Sequence, residues 1–142
     1  MVQAMPARDI FHQNVRNALT KDGWTITDDP LTLQFGTTDV FVDLGAEKLI
    51  AAEKEGLYIA VEIKGFASAS IITDFHAALG QFLNYRYALE QQDPRRALYL
   101  AIPIDAYSTF FVQPFVQAIL QRYQLQVLVF EPEIEEVLQW IK

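Results

Sequence analysis

The sequence predicts a mixed α/β fold, a central sheet with helices on both faces, and three observations predict it. Helical and extended periodicities alternate along the 142 residues. Two continuous apolar runs, residues 57–61 and 97–102, are short enough for strands and read as strands covered on both faces. Just over half of the chain is hydrophobic (51%), with no internal repeat, low-complexity tract or linker, so residues 1–142 are expected to form one domain around a real core.

Asp9 through Asp22 reads as the first helix, because Ile10, Phe11, Val15, Ala18 and Leu19 recur at helical spacing. Asp9 can act there as an N-terminal anion or cap, and Gly23 stops the helix. Residues 24–27 and 31–35 are short strands around an Asp28-Asp29-Pro30 turn, and residues 36–38 turn again. Asp39 to Leu44 alternates with period two, placing Asp39, Phe41 and Asp43 on one face and Val40, Val42 and Leu44 on the other. Residues 49–53 continue extended, and Lys54-Glu55-Gly56 is a hairpin turn.

Leu57 to Lys64 is the strongest strand. A loop of small residues follows, 65–70, which could order around a ligand. Ser70 or Thr73 can cap a long helix over about 72–92, with Phe75, Leu79, Phe82, Arg86 and Leu89 in one stripe and Pro94 beyond its end. Residues 96–102 form a buried strand closed by Pro103. Short helices follow at 105–111 and from Pro114 to about Tyr123. Residues 125–130 form a strand, 131–133 turn, and 137–141 is an edge strand or a short helix. Val61, Ile63, Leu98, Leu100, Val127 and Val129 are the expected interior positions.

Composition narrows the function. The absence of cysteine excludes disulfides, thiolate zinc sites and a cysteine nucleophile. The longest apolar stretch, residues 97–104, is far short of a membrane span, and the N-terminus has no signal-peptide core, so a soluble cytoplasmic protein is expected. Eighteen acids face eleven bases, for a net charge of −7. Without residues 131–142 the balance is still 14 acids to 10 bases. No basic stripe is present, so any nucleic-acid role needs a local site or a partner that brings positive charge.

One constellation carries chemistry. Asp43 ends one strand. Glu62-Ile63-Lys64 ends the next strong one, with Glu62 and Lys64 on the same face. Gln81 and Tyr85 stand one turn apart on the following helix. If the strands are neighbours, Asp43 and Glu62 can supply carboxylates to Mg2+ or Mn2+ and the Ile63 carbonyl a further oxygen. Lys64 can orient a nucleophilic water or stabilise developing phosphoryl charge. A Glu-x-Lys triplet alone is weak, since strand ends often carry solvated charges, Asp43 precedes a glycine, and Gln81 and Tyr85 could lie on a solvated helix face.

In order and spacing, Asp43, Glu62, Lys64, Gln81 and Tyr85 resemble the core of the PD-(D/E)xK, or restriction-endonuclease-like, nuclease superfamily. The resemblance implies that the acids hold the metal, the lysine assists the water, and the Gln-x3-Tyr helix borders the active site. Val42 stands where the superfamily's proline would be. Where resolvase-type members often carry a first-helix Glu, this chain has His12, whose neutral imidazole can ligate a metal or hydrogen-bond its water.

A longer resemblance spans nearly the whole chain. Ala7-Arg-Asp-Ile-Phe-His12, Lys21-Asp-Gly-Trp-Thr-Ile-Thr27, Asp29-Pro-Leu-Thr-Leu33, the run from Phe41 to Lys54 and Ala60-Val-Glu-Ile-Lys64 are similar to the XisH family, the fdxN-element excision controlling factors of cyanobacteria. Ala78-Leu-Gly-Gln81, Leu98-Tyr-Leu-Ala101 and Gln139-Trp-Ile141 fit as well. The family implies programmed excision of a DNA element during heterocyst differentiation, alongside a recombinase and a small companion protein, XisI. Two expectations follow: a Mg2+-dependent nuclease acting on DNA, or a non-catalytic nuclease-fold regulator that binds XisI and modulates a recombinase. Both expect an oligomer, a homodimer or a complex with XisI. The candidate contacts are Tyr107, Phe110, Phe111, Phe115, Tyr123 and Trp140.

Overall fold

The computed structural model describes residues 9–48 and 56–142. In chain order the elements are α1 (His12–Lys21), β1 (Thr25–Asp28), β2 (Leu31–Phe35), β3 (Thr38–Val42), β4 (Leu44–Lys48) and β5 (Leu57–Ile63). They continue as α2 (Ile71–Gln92), β6 (Arg96–Pro103), α3 (Ile104–Ala106), which runs into a π-helical turn (Tyr107–Phe111), then α4 (Pro114–Arg122), β7 (Val127–Glu131) and β8 (Glu136–Ile141). The fold is mixed α/β. Six strands form the central sheet in the order β1-β4-β5-β6-β7-β8, and β2 and β3 pair in a separate hairpin.

Strand direction follows the connections. β5, β6 and β7 are parallel to one another, and each step between them is a helical crossover, since parallel neighbours cannot be joined by a tight turn. β1, β4 and β5 pair antiparallel at one side, and β8 pairs antiparallel with β7 at the other. Helix boundaries have local causes. α1 ends at Gly23, which takes φ +94°, a left-handed conformation open to glycine at little cost. Ser70 caps α2, its Oγ accepting the Thr73 N–H at 3.3 Å, and Asp93 ends the helix before Pro94.

The central strands divide their side chains between two cores. Ala60, Leu98, Leu100, Ile102, Val127 and Val129 pack with α2 and α4. Ile59, Val61, Ile63, Tyr99, Ala101, Leu128 and Phe130 pack with Val15 and Leu19 of α1. All six expected interior positions are at most 3% exposed. Arg96, at the start of β6, ties one corner together. It forms ion pairs with Asp28 and Asp93, both at 3.1 Å, and donates to the Ile59 carbonyl at 2.9 Å. No described helix is long and apolar enough to cross a membrane.

The structure corrects two sequence expectations. Asp39 to Leu44 is not one strand: the chain bends at Asp43, leaving the β2–β3 hairpin and entering the central sheet. Residues 136–141 are an edge strand, one of the two forms expected there. Phe110 and Phe111 are not surface contacts; they are buried against Phe75 at ring distances of 5.4 and 5.8 Å. Trp140 packs on Tyr99 and Trp24, while Phe115 and Tyr123 remain exposed. The extended segment 49–53 and most of the turn at 54–56 lie outside the described residues.

Candidate functional site

The site forms where β5 ends. Leu44 pairs with Val61 in the antiparallel β4–β5 ladder, which sets the bend at Asp43 beside Glu62. The Asp43 N–H donates to Glu62 Oε1 at 3.3 Å, and the Ile63 N–H donates to Asp43 Oδ2 at 2.7 Å. Glu62 thus holds the Asp43 backbone, and the amide that follows Glu62 holds the Asp43 carboxylate. Lys64 continues the strand direction, its N–H donating to the Ala101 carbonyl at 3.0 Å and its Nζ 3.9 Å from Glu62 Oε2. Strand parity puts Glu62 on the α2 side of the sheet, the side of its neighbour Ala60. There Gln81 and Tyr85, one turn apart on α2, join Asp43, Glu62, Ile63 and Lys64 around a cavity of about 160 Å³. Phe41 and Asp9 complete its lining.

Burial dominates the electrostatics. Glu62 is 6% exposed, and its carboxyl is pushed well above the ordinary carboxylate range. Desolvation is the largest cause and the neighbouring Asp43 charge the next; Lys64 opposes both. The Tyr85 hydroxyl is pushed up to about 12 by partial burial and then by Glu62 and Asp43, so it stays a proton donor at neutral pH. Gln81 Oε1 is buried with no hydrogen-bond partner.

Asp9 is the residue that sequence reasoning missed at this site. Its carboxylate accepts the Phe11 N–H at 2.9 Å and the Gly65 N–H at 3.0 Å, joining the entry of α1 to the residue after Lys64. Gly65 permits this approach: a Cβ there would stand 3.1 Å from the Phe11 ring and 3.3 Å from Asp9 Oδ1. The only signal in the sequence was an acid just before a helix, which reads equally well as an ordinary cap. A shallower cavity of about 310 Å³ adjoins the first, shares Asp9 and Lys64 with it, and runs along the 65–68 loop to Asp74.

His12 is not among the residues lining either cavity. It is 4% exposed and its Nε2 bonds to Asp29 Oδ1 at 2.7 Å, while Arg16 pairs with the other oxygen of Asp29, also at 2.7 Å. The structure thus assembles Asp43, Glu62, Ile63, Lys64, Gln81 and Tyr85 and leaves His12 with Asp29.

The donor set fits a hard divalent cation. It is made of oxygens: two carboxylates and the unpartnered Gln81 amide oxygen, with the Ile63 backbone beside them. Among the described residues no three His, Cys, Asp or Glu side chains are grouped to hold a metal.

Residues 5–138 match the family model described as XisH protein. The chain belongs to the XisH family. Two solved structures are similar over their full length. One is an XisH family protein from Nostoc punctiforme, 45% identical, with a TM-score of 0.85, covering 94% of this chain and 100% of that one. The other is a fdxN element excision controlling factor protein from Anabaena variabilis, 46% identical, with a TM-score of 0.85, covering 95% and 100%. No curated protein matches the chain.

Proposed function

We propose that this XisH-family chain is a divalent-metal-dependent DNA phosphodiesterase of the PD-(D/E)xK type, acting in the controlled excision of a DNA element. The observation that carries the reading is the convergence of Asp43, Glu62, Lys64 and Gln81 on one cavity. The name of the Anabaena variabilis relative, an excision controlling factor, supports the context. Asp43 and Glu62 would hold Mg2+ or Mn2+, with the Ile63 carbonyl as a further oxygen donor. Such an ion lowers the pKa of a water nucleophile and neutralises charge on the phosphoryl group. The protein's own groups do the rest. Lys64 sets an ammonium beside the acids, where it can hold a phosphate oxygen and balance charge as it develops. Gln81 Oε1, without a partner, can accept a hydrogen from the attacking water. Tyr85, still protonated, can donate to a phosphate oxygen.

Calorimetry with Mn2+ and Mg2+ and a divalent-dependent DNA cleavage assay, run with and without the companion protein XisI, test this. The wild-type chain should bind the ion and cleave, and Asp43→Ala should do neither. A chain that binds neither ion and cleaves nothing under either condition overturns the reading.

The net charge of −7 favours a second reading. In it the nuclease-like fold is a non-catalytic regulator that binds XisI, or a second copy of itself, and modulates a recombinase. Sedimentation with and without XisI, in a preparation that shows no cleavage, would separate the two.

A further inference from the structure

Another cavity stands apart from the acidic site. It lies at the opposite ends of the same strands, on the α1 side of the sheet, and measures about 590 Å³, the size of a small-molecule pocket. One wall is aromatic: the Trp140 ring is 4.9 Å from Tyr99 and 5.6 Å from Trp24. The cations gather here too. Lys48, Arg95 and Lys142, three of the chain's eleven Lys and Arg residues, line this one cavity in a protein of net charge −7. The acid among the described lining residues is Asp22, and one of its oxygens already accepts the Trp24 N–H at 3.2 Å.

Tyr99, Trp140 and Lys142 add a hydroxyl, an indole N–H and an ammonium to the lining. Lys48 Nζ donates once, to the Asp22 carbonyl at 2.7 Å, and keeps two hydrogens. A cavity that offers flat aromatic surface and surplus donors is complementary to a flat ligand rich in acceptors and negative charge. We infer that this cavity binds a planar aromatic phosphate, the chemistry of a nucleoside monophosphate or of the 5′-phosphorylated end of a strand. The inference stands apart from the phosphodiesterase reading, because it uses none of the acidic site's residues.

The protein carries its own reporter, since both of its tryptophans line the cavity. The two indole N–H resonances, followed by NMR, report occupancy directly. AMP should shift both saturably, and adenosine, which lacks the phosphate, should bind at least roughly tenfold more weakly. Arg95→Ala combined with Lys142→Ala removes two exposed side chains and should weaken AMP binding by roughly tenfold while the free indole resonances stay in place. Asp43→Ala should leave the titration unchanged. A 5′-phosphorylated tetranucleotide tested beside its unphosphorylated form distinguishes a free nucleotide from a strand end; saturable binding of either phosphorylated probe supports the inference. No saturable shift with AMP or the phosphorylated tetranucleotide up to about 10 mM would overturn it, as would adenosine binding as tightly as AMP or an unaltered double variant.

Discussion

Glu62 is held in a state that works against the free protein. Its folded carboxyl titrates above the unfolded value, so it binds a proton more readily in the native chain. Its contribution to stability is fully present below the unfolded value of about 4.5 and is lost as pH rises through the folded value. In metal-free buffer the protein should therefore melt at a higher temperature at pH 5 than at pH 8. Glu62→Gln keeps an acceptor for the Asp43 N–H and removes the charge. Melting curves should show it about 2–5 °C more stable at pH 8, with the pH dependence flattened and Mn2+ binding lost. Asp43 separates structure from chemistry in another way. Asp43→Asn retains an oxygen for the Ile63 N–H and should unfold within about 1 kcal/mol of wild type, whereas Asp43→Ala leaves that buried amide unpaired, at about 1–3 kcal/mol. Urea titration reads both, and calorimetry should find Mn2+ binding lost in each.

At the scale of elements, the site depends on the start of α1 being fastened to the end of β5. Asp9→Ala removes the acceptor for two backbone amides and should destabilise the protein by about 1–2 kcal/mol in urea titration. Hydrogen exchange should quicken at Phe11 and Gly65 before it does in the central strands. This fastening explains what the sequence could and could not convey. α2, β5, β6 and β7 were legible because their periodicity and caps are local. The Glu62–Lys64 face followed from strand parity, and the pairing of Gln81 with Tyr85 from helical spacing. The break at Asp43 was hidden because Val40, Val42 and Leu44 continue one apolar alternation across it, although the first two belong to a hairpin and the last to the central sheet. The partners of Asp9 and His12 were hidden for a different reason: Gly65 lies 56 residues from Asp9 and Asp29 lies 17 from His12, and no local pattern encodes such contacts.

Across the whole molecule, charge and packing set the limits. A chain of net charge −7 has little to offer a phosphate backbone unless cations intervene. Retention of duplex DNA in gel-shift assays at about 0.15 M salt should require Mg2+ or a basic partner, and Glu62→Gln should remove the Mg2+-dependent part. The central sheet is filled on both faces, so a truncation in it is felt by the whole domain. Leu100 is fully buried, and Leu100→Ala should cost about 2–5 kcal/mol in urea titration, more than any change at the acidic site.

Arg96 makes the order of synthesis matter. Its guanidinium engages Asp28 of β1, the carbonyl of Ile59 in β5 and Asp93 just before its own strand. Those partners leave the ribosome first, and each waits for a residue made later. The antiparallel group of β1, β4 and β5 thus emerges with an unfilled corner, and a nascent chain ending at residue 92 should stay sensitive to protease where one extended past β7 does not. Lysine would not close the corner, because a single ammonium lacks the planar fork that reaches several acceptors at once. One late cation thereby couples completion of the β1–β4–β5 corner to translation of the second half of the chain.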